Sequence, residues 1–382
     1  MIPYGKHSII DEDVAAVVDV LENKFLTQGE TVPAFEKSLC DYTGAQFATA
    51  VNSGTSGLHV ACLALGIGPG DSIWTSPNSF VASANCALYC GATVDFVDID
   101  PESRNLSVSA LKQKLQAAQR ENCLPKALVM VHFAGLSEYI EELSAILKSY
   151  NVALIEDAAH GLGGHDNGTK IGSCRYSDIA VLSFHPVKSI TTAEGGAVMT
   201  NDSDLAEKIV LYAKHGITRD ESKLTEQHGP WYYQQQLLGF NYRLSDLHAA
   251  LGITQLQRLD TFVAARRKLA HRYHQLLSDL PLQLPKQIAE ESDGSAWHLY
   301  MVEVLEHDRA TVFEGLRAAG IGVNVHYIPI HLQPYYQALG FTAGQFPNAE
   351  RFYQRAITLP LYPTLSESEQ DIVVNALKEQ LS

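Results

Sequence analysis

A lysine closes the run SFHPVK at residues 183–188, at the end of the apolar stretch IAVLSFHP, which has the character of a strand. Lysine is almost never buried unless something pairs or reacts with it. Hydroxyls, a glutamate and paired glycines follow at once in SITTAEGGAVMTND. Upstream, EDAAH puts Asp157 just after the apolar VALI, so a carboxylate stands where a second buried strand ends. Taken alone, such an aspartate reads as a helix N-cap. SGTSG at 53–57, with Gly54 inside it, is a hydroxyl-rich turn between a strand and a helix. Backbone N–H groups at such a place can hold a phosphate. NSF at 78–80 sets Phe80 at another strand end, where core packing is the default reading.

Together these groups are the parts needed to hold pyridoxal phosphate. Lys188 would form the Schiff base, and Asp157 would keep the pyridine nitrogen protonated so that the ring accepts carbanion electrons. Phe80 would stack on the ring face. A lysine's pKa falls readily on desolvation, which leaves a nucleophilic amine near neutral pH. A strand-end cation in a salt bridge is the competing reading of Lys188.

The elements that must position these groups are legible as well. Short apolar runs (FATAVNS, SIWTSP, TVDFVDID, KALVMVHFAG, VALIEDAAH, IAVLSFHP, GGAVMTN) alternate with helical patterns between about 45 and 200. This order predicts an α/β fold: a mostly parallel sheet with helices on both faces. In such sheets ligands sit beyond the carboxyl ends of the strands, where every group named above falls. After Ser245, a good N-cap, SDLHAALGITQLQRLDTFVAARRKLAHRYHQLLSDL reads as one long connecting helix. AWHLYMVEV and GVNVHYIPIH read as strands, with DRATVFEGLRAAG and ESEQDIVVNALKEQLS as helices. The expected division is a large domain over 1–245 and a smaller α+β domain over 246–382. GIGPGD at 66–71 has a phosphate-loop composition but follows a helix and precedes a strand, so it reads as a turn.

Composition narrows the class. The chain has 382 residues, 46% hydrophobic and 19% charged, with a formal net charge of −15. An acidic chain without basic runs is poorly suited to gripping nucleic acid. No apolar run reaches the roughly 18–20 residues that span a bilayer, and the N-terminus lacks a signal-peptide pattern. Six scattered cysteines include no CxxC pair, so no metal site is expected. The expectation is a cytoplasmic globular enzyme without nucleic-acid or membrane partners.

Seven motifs occur in order: NSGTSGLH, SFVASAN, IEDAAHGLG, SFHPVKSITTAEGGAVMTND, HG, GFNYRLSDLHAALGITQL and HYIPIH. Over nearly its whole length the chain thus resembles the DegT/DnrJ/EryC1/StrS aminotransferases, sugar aminotransferases of the aspartate aminotransferase fold (fold type I). The resemblance implies Lys188 as the Schiff-base and proton-transfer lysine and Asp157 as the partner of the pyridine nitrogen. It implies Thr55, Ser56 and Ser183 at the cofactor phosphate. Asn241, in FNYR, would reach the phosphate of a neighbouring subunit, so that a homodimer shares its active sites.

Most of the family has glutamine where this chain has His160, facing the cofactor's ring oxygen. Histidine there resembles the pseudaminic-acid branch, which aminates C4 of UDP-2-acetamido-2,6-dideoxy-β-L-arabino-hexos-4-ulose with L-glutamate as donor. Tyr4 and the run Lys24, Phe25, Leu26, Thr27 are similar to that branch's sugar-contacting segments. His326 and Tyr327 lie in the segment that would line the nucleotide-sugar pocket, on opposite faces if it is a strand. His185 is either a substrate contact or a flank of the strand end. Another GDP- or dTDP-linked keto sugar, or amination at C3, stays open. A dehydratase would carry histidine at 188, and a regulator that only binds sugar would have lost Lys188 or Asp157.

Overall fold

The structure, a computed structural model, describes residues 1–382, the side chain of residue 291 excepted. Helices α1 (Asp11–Asn23) and α2 (Thr31–Thr43) lead into β1 (Phe47–Val51), α3 (Gly54–Ala64), β2 (Ser72–Thr75), α4 (Ala82–Tyr89) and β3 (Thr93–Phe96). Then come α5 (Val108–Glu121), β4 (Ala127–Val131), α6 (Ile140–Ser149), β5 (Ala153–Asp157) and the hairpin of β6 (His165–Asp166) with β7 (Thr169–Lys170). β8 (Ile179–Ser183), β9 (Gly196–Thr200) and α7 (Ser203–Ala213) complete the alternation. The strands form one sheet in the order β1-β9-β8-β5-β4-β2-β3. Pairing is parallel from β8 to β3, and β9 runs antiparallel to both β1 and β8.

The expected α/β architecture is present, and its cause shows in β4. Ala127, Val129 and Val131 enter the core that holds α3 and α4, while Leu128 and Met130 enter the core that holds α5 and α6. A period of two sends successive side chains to opposite faces, and both faces are covered by helices. Hence the strand is apolar throughout.

The second half begins with the short hairpin β10 (Ile217–Thr218) and β11 (Gln234–Gln235). The expected single long helix is two, α8 (Asp246–Gln257) and α9 (Leu259–Leu277). Arg258 breaks it at φ −103° and ψ 0°, and its guanidinium bonds Asp13 and the Ser8 carbonyl. Apolar residues continue through the break (Leu256, Leu259, Phe262), so periodicity alone cannot reveal it. α8 packs against α1 and α2, whereas α9 enters a second core from Leu269 onward. That core contains the antiparallel sheet of β12 (Leu282–Gln283), β13 (Tyr300–Val304) and β14 (Ala356–Leu359), with α10 (Arg309–Ala318) between the last two strands in sequence. Short helices α11 (Pro334–Gln337) and α12 (Pro347–Arg355) precede β14, and α13 (Glu367–Gln380) closes the fold.

Two strand expectations are corrected here. AWHLYMVEV forms a strand only from Tyr300, because Trp297 takes a left-handed φ of 45°. GVNVHYIPIH is not a strand: it touches β14 through one bridge, Asn324 to Thr358, then turns into a short 3-10 helix after Pro329. Side-chain alternation therefore does not apply to His326 and Tyr327.

Candidate active site

A cavity of about 440 Å³ opens at the carboxyl ends of β5 and β8. Larger clefts of about 810 and 850 Å³ lie elsewhere, but neither sets a lysine beside a buried carboxylate. Gly54 and Thr55 line the cavity at the start of α3, where the first N–H groups of a helix have no intrahelical partner. Ser53 caps this helix, its hydroxyl accepting from the Ser56 N–H at 3.1 Å. Ser56 itself faces away: its hydroxyl donates to Asn52 Oδ1 at 2.7 Å and completes the cap. Ser183, at the end of β8, supplies a hydroxyl on the opposite side of the turn.

The paired glycines keep this cradle closed. A Cβ on Gly196 would stand 2.7 Å from the Gly54 nitrogen and 2.8 Å from the Leu182 carbonyl. One on Gly54 would reach Ser183 Cβ at 3.0 Å. The hydroxyls after Lys188 are equally local in purpose. Thr191 Oγ1 donates to the Phe184 carbonyl at 3.1 Å, and Thr192 Oγ1 to the Glu194 carbonyl at 2.8 Å. They fold the loop back on β8, which ends at Ser183, so Lys188 sits in the turn beyond the strand rather than closing it as the apolar run predicts.

Lys188 projects into the cavity, where burial pulls its pKa down to about 8 even though Asp157 pulls it the other way. Near neutral pH a fraction of this amine is therefore uncharged and nucleophilic. Asp157 ends β5, buried, with Oδ2 accepting from Ser83 Oγ at 2.6 Å and Oδ1 from the Ala159 N–H at 3.2 Å. Its neighbour Glu156 points to the other face and is held by His132 Nε2 at 2.7 Å and Ser177 Oγ at 2.5 Å. Strand alternation thus separates a carboxylate that faces the cavity from one that braces the fold.

Three imidazoles surround the lysine. His160 Nδ1 accepts from the Ala134 N–H at 3.3 Å, and its ring lies 4.2 Å from that of His298. Burial, with the Lys188 charge adding to it, holds His160 well below the ordinary histidine range, so it is neutral. His298 is lowered for the same first reason, with His160 next. His326 is pulled down to about 4 by burial and Lys188, and its Nδ1 lies 2.8 Å from Thr358 Oγ1. Tyr327 stands 3.3 Å from His160 Nε2, and burial pushes its phenol up. With these three imidazoles neutral, Lys188 is the one amine among the residues that line the cavity.

Of the residues expected from sequence, Tyr4, Phe80, His185, His326 and Tyr327 also line this cavity. Phe80 is 56% exposed, with its ring centroid 6.2 Å from that of Tyr327. His326 and Tyr327 share the same wall, because the segment is irregular rather than a strand. Lys24, Phe25, Leu26 and Thr27 do not line it: Lys24 pairs with Asp19 at 2.6 Å and Phe25 is 78% exposed. Asn241 is also outside it, exposed and bridged through its backbone to Lys214. Sequence reasoning passed over Ser79, Ser83 and His298. The first two stand four apart in SFVAS, a helical spacing that could have marked them as one face.

These residues suit pyridoxal phosphate: a glycine-lined helix N-terminus for the phosphate, a buried carboxylate for the ring nitrogen and a desolvated lysine in the same cavity. No cluster of His, Cys, Asp and Glu suited to a metal occurs among the described residues, nor any helix long and apolar enough to cross a membrane. The model of the DegT/DnrJ/EryC1/StrS aminotransferase family matches residues 7–378. SpsC of Bacillus subtilis (strain 168), a spore coat polysaccharide biosynthesis protein, is 36% identical over 99% of this chain and 96% of its own length. Helicobacter pylori PseC, an aminotransferase involved in the biosynthesis of pseudoaminic acid, has a TM-score of 0.91 and 32% identity over 100% of this chain and 99% of its own. The PLP form of Spr1654 from Streptococcus pneumoniae has a TM-score of 0.88 and 26% identity, covering 100% of both chains. The chain therefore belongs to the DegT/DnrJ/EryC1/StrS aminotransferase family, and its chemistry is the pyridoxal phosphate-dependent transamination of a sugar.

Proposed function

We propose that the chain transfers the amino group of L-glutamate to C4 of UDP-2-acetamido-2,6-dideoxy-β-L-arabino-hexos-4-ulose, a step toward pseudaminic acid. The observation that carries the chemistry is Lys188, its pKa brought to about 8 beside the buried Asp157. Support for the sugar comes from the end-to-end similarity to PseC and from His160 in place of glutamine.

Bound pyridoxal phosphate supplies an electron sink for the carbanion formed at the reacting carbon. Gly54, Thr55 and Ser183 would hold its phosphate, Asp157 its ring nitrogen, and Phe80 would cover its ring. Lys188 Nζ would take the proton from the α-carbon of glutamate; the amino group would stay with the cofactor, and water would supply the carbonyl oxygen of the departing 2-oxoglutarate. In the second half the same group would deliver a proton to C4 of the keto sugar, whose carbonyl oxygen leaves as water while the amino group held by the cofactor leaves on the 4-amino sugar. A single group serves as base and then acid, and a pKa near working pH suits both roles. Neutral His160 and Tyr327 orient the ring oxygen, while Tyr4, His185 and His326 meet the sugar. Residues 1–245 carry the cofactor in this reading, and 246–382 form the small domain that closes the cavity with Asn324–Tyr327.

The functional unit is a homodimer. Asn241 lies outside its own cavity, and Phe25, Leu26, Trp231 and Leu238 are exposed apolar groups that a second copy would cover. In it Asn241 reaches the partner's phosphate, and the run Lys24–Thr27 the partner's sugar. Mass-spectrometric identification of the product from a panel of purified keto nucleotide sugars tests the substrate. A preference for the UDP-linked L-arabino sugar over its D-xylo epimer, by about 10–200-fold for one methyl-sized contact, is expected. Equal turnover of the two epimers, or preference for a GDP- or dTDP-sugar, would reject it.

A further inference from the structure

Asp157 does not stand alone at the end of β5. Ser83, wholly buried in the first turn of α4, places its Oγ 2.6 Å from Asp157 Oδ2. An ionised carboxylate only accepts, so the serine donates. A hydroxyl has one hydrogen, and that of Ser83 is spent on Asp157. The 2.7 Å contact between Ser79 Oγ and Ser83 Oγ must then run from Ser79 as donor. The result is a directed chain from the cavity wall, Ser79 to Ser83 to Asp157. The other oxygen, Oδ1, is held by the Ala159 N–H at 3.2 Å.

We propose that Ser83, backed by Ser79, is a positioning residue for the reaction: it fixes the Asp157 carboxylate in the orientation that meets the cofactor's ring nitrogen. The proposal rests on the role given above to Asp157. With a donor on each oxygen, the carboxylate cannot rotate about its Cβ–Cγ bond without losing both contacts. Each oxygen keeps a lone pair for a further donor. Hydrogen bonds to an ionised acceptor are about twice as strong as neutral ones, and a chain of hydroxyls polarises each member toward the charge. Ser83 is buried behind the cavity lining and acts through Asp157. The stretch SFVAS thereby does two jobs, Phe80 reaching the cavity while Ser79 and Ser83 turn inward to the carboxylate.

The test compares wild type, Ser83→Ala, Asp157→Ala and the double variant. The readouts are the dissociation constant for pyridoxal phosphate, the visible spectrum of the bound cofactor, and kcat and KM for the sugar. Ser83→Ala should weaken cofactor binding and lower kcat by about 10- to 100-fold, the range for a hydrogen bond to a charged group, with KM for the sugar unchanged. The spectrum should change with it. In the Asp157→Ala background the same substitution should cost nothing more. Ser79→Ala should act in the same direction, more weakly, and it decides the matter if Ser83→Ala does not fold. An equal loss in both backgrounds would make Ser83 a packing residue and overturn the proposal. Unchanged cofactor binding in Ser83→Ala, or in Ser79→Ala when that variant has to decide, would also overturn it. If Asp157→Ala itself leaves affinity and spectrum untouched, the role of Asp157 falls first and this proposal with it.

Discussion

His160 and Tyr327 meet across the cavity at 3.3 Å, imidazole Nε2 to phenol oxygen, and the Ala134 N–H decides which of them donates. That N–H occupies Nδ1, so the imidazole proton sits on Nε2 and points at the tyrosine hydroxyl. A glutamine amide at 160 can make the same donation. His160→Gln should therefore keep the preference between the two sugar epimers and change kcat only a few-fold. His160→Ala leaves a partly buried hydroxyl and a partly buried N–H unpaired and should lose more. Steady-state kinetics on both epimers check this; a reversed preference in His160→Gln would mean that residue 160 selects the sugar.

Lys188 should show its lowered pKa directly. The neutral amine is the species that attacks the cofactor, and below about pH 8 the protonated form dominates. Uptake of pyridoxal phosphate by apo-enzyme, followed by visible absorbance, should therefore speed up as pH rises and level off above about 8. A midpoint near that of an ordinary lysine would show that burial does not act on this group as described.

His326 makes the apo-enzyme sensitive to acid. Its unfolded pKa lies near 6.5, while burial and Lys188 bring the folded value to about 4. Between those values the unfolded chain binds the extra proton, so stability is present above pH 6.5 and is lost as pH falls toward 4. The loss from this one group is at most about 1.4 kcal/mol per pH unit in that window. Thermal melts across it should show a shallower slope for His326→Gln than for wild type. Equal slopes would mean that His326 is already charged in the folded state.

The position of Asn241 predicts complementation. Lys188→Ala and Asn241→Ala should each be inactive or nearly so. A heterodimer of the two would contain one site with both defects and one with neither. Activity should rise after verified subunit exchange, and no rise would return Asn241 to its own subunit.

Much of this was legible in the sequence because the relevant signals are local. Apolar strands, one ending in Asp157 and one at Ser183 shortly before Lys188, announce a parallel sheet and its carboxyl edge, and a serine-rich turn announces a helix N-terminus. What stayed hidden depends on long-range geometry. The break at Arg258 arises from a guanidinium anchored some 245 residues upstream in sequence, at Asp13. The irregular path around His326 depends on β14, and the tie between Ser83 and Asp157 spans 74 residues. Nor does a strand pattern tell that Ser56 would spend its hydroxyl on a helix cap.

On the proposed mechanism Lys188 both holds the cofactor and moves the proton. Borohydride reduction of the purified holoenzyme, followed by peptide mass spectrometry, tests it most directly. The cofactor's mass should be fixed on the peptide containing Lys188, and Lys188→Ala should bind pyridoxamine phosphate yet lose turnover. A label on another lysine, or a Lys188→Ala enzyme that keeps a substantial fraction of the wild-type rate, would contradict it.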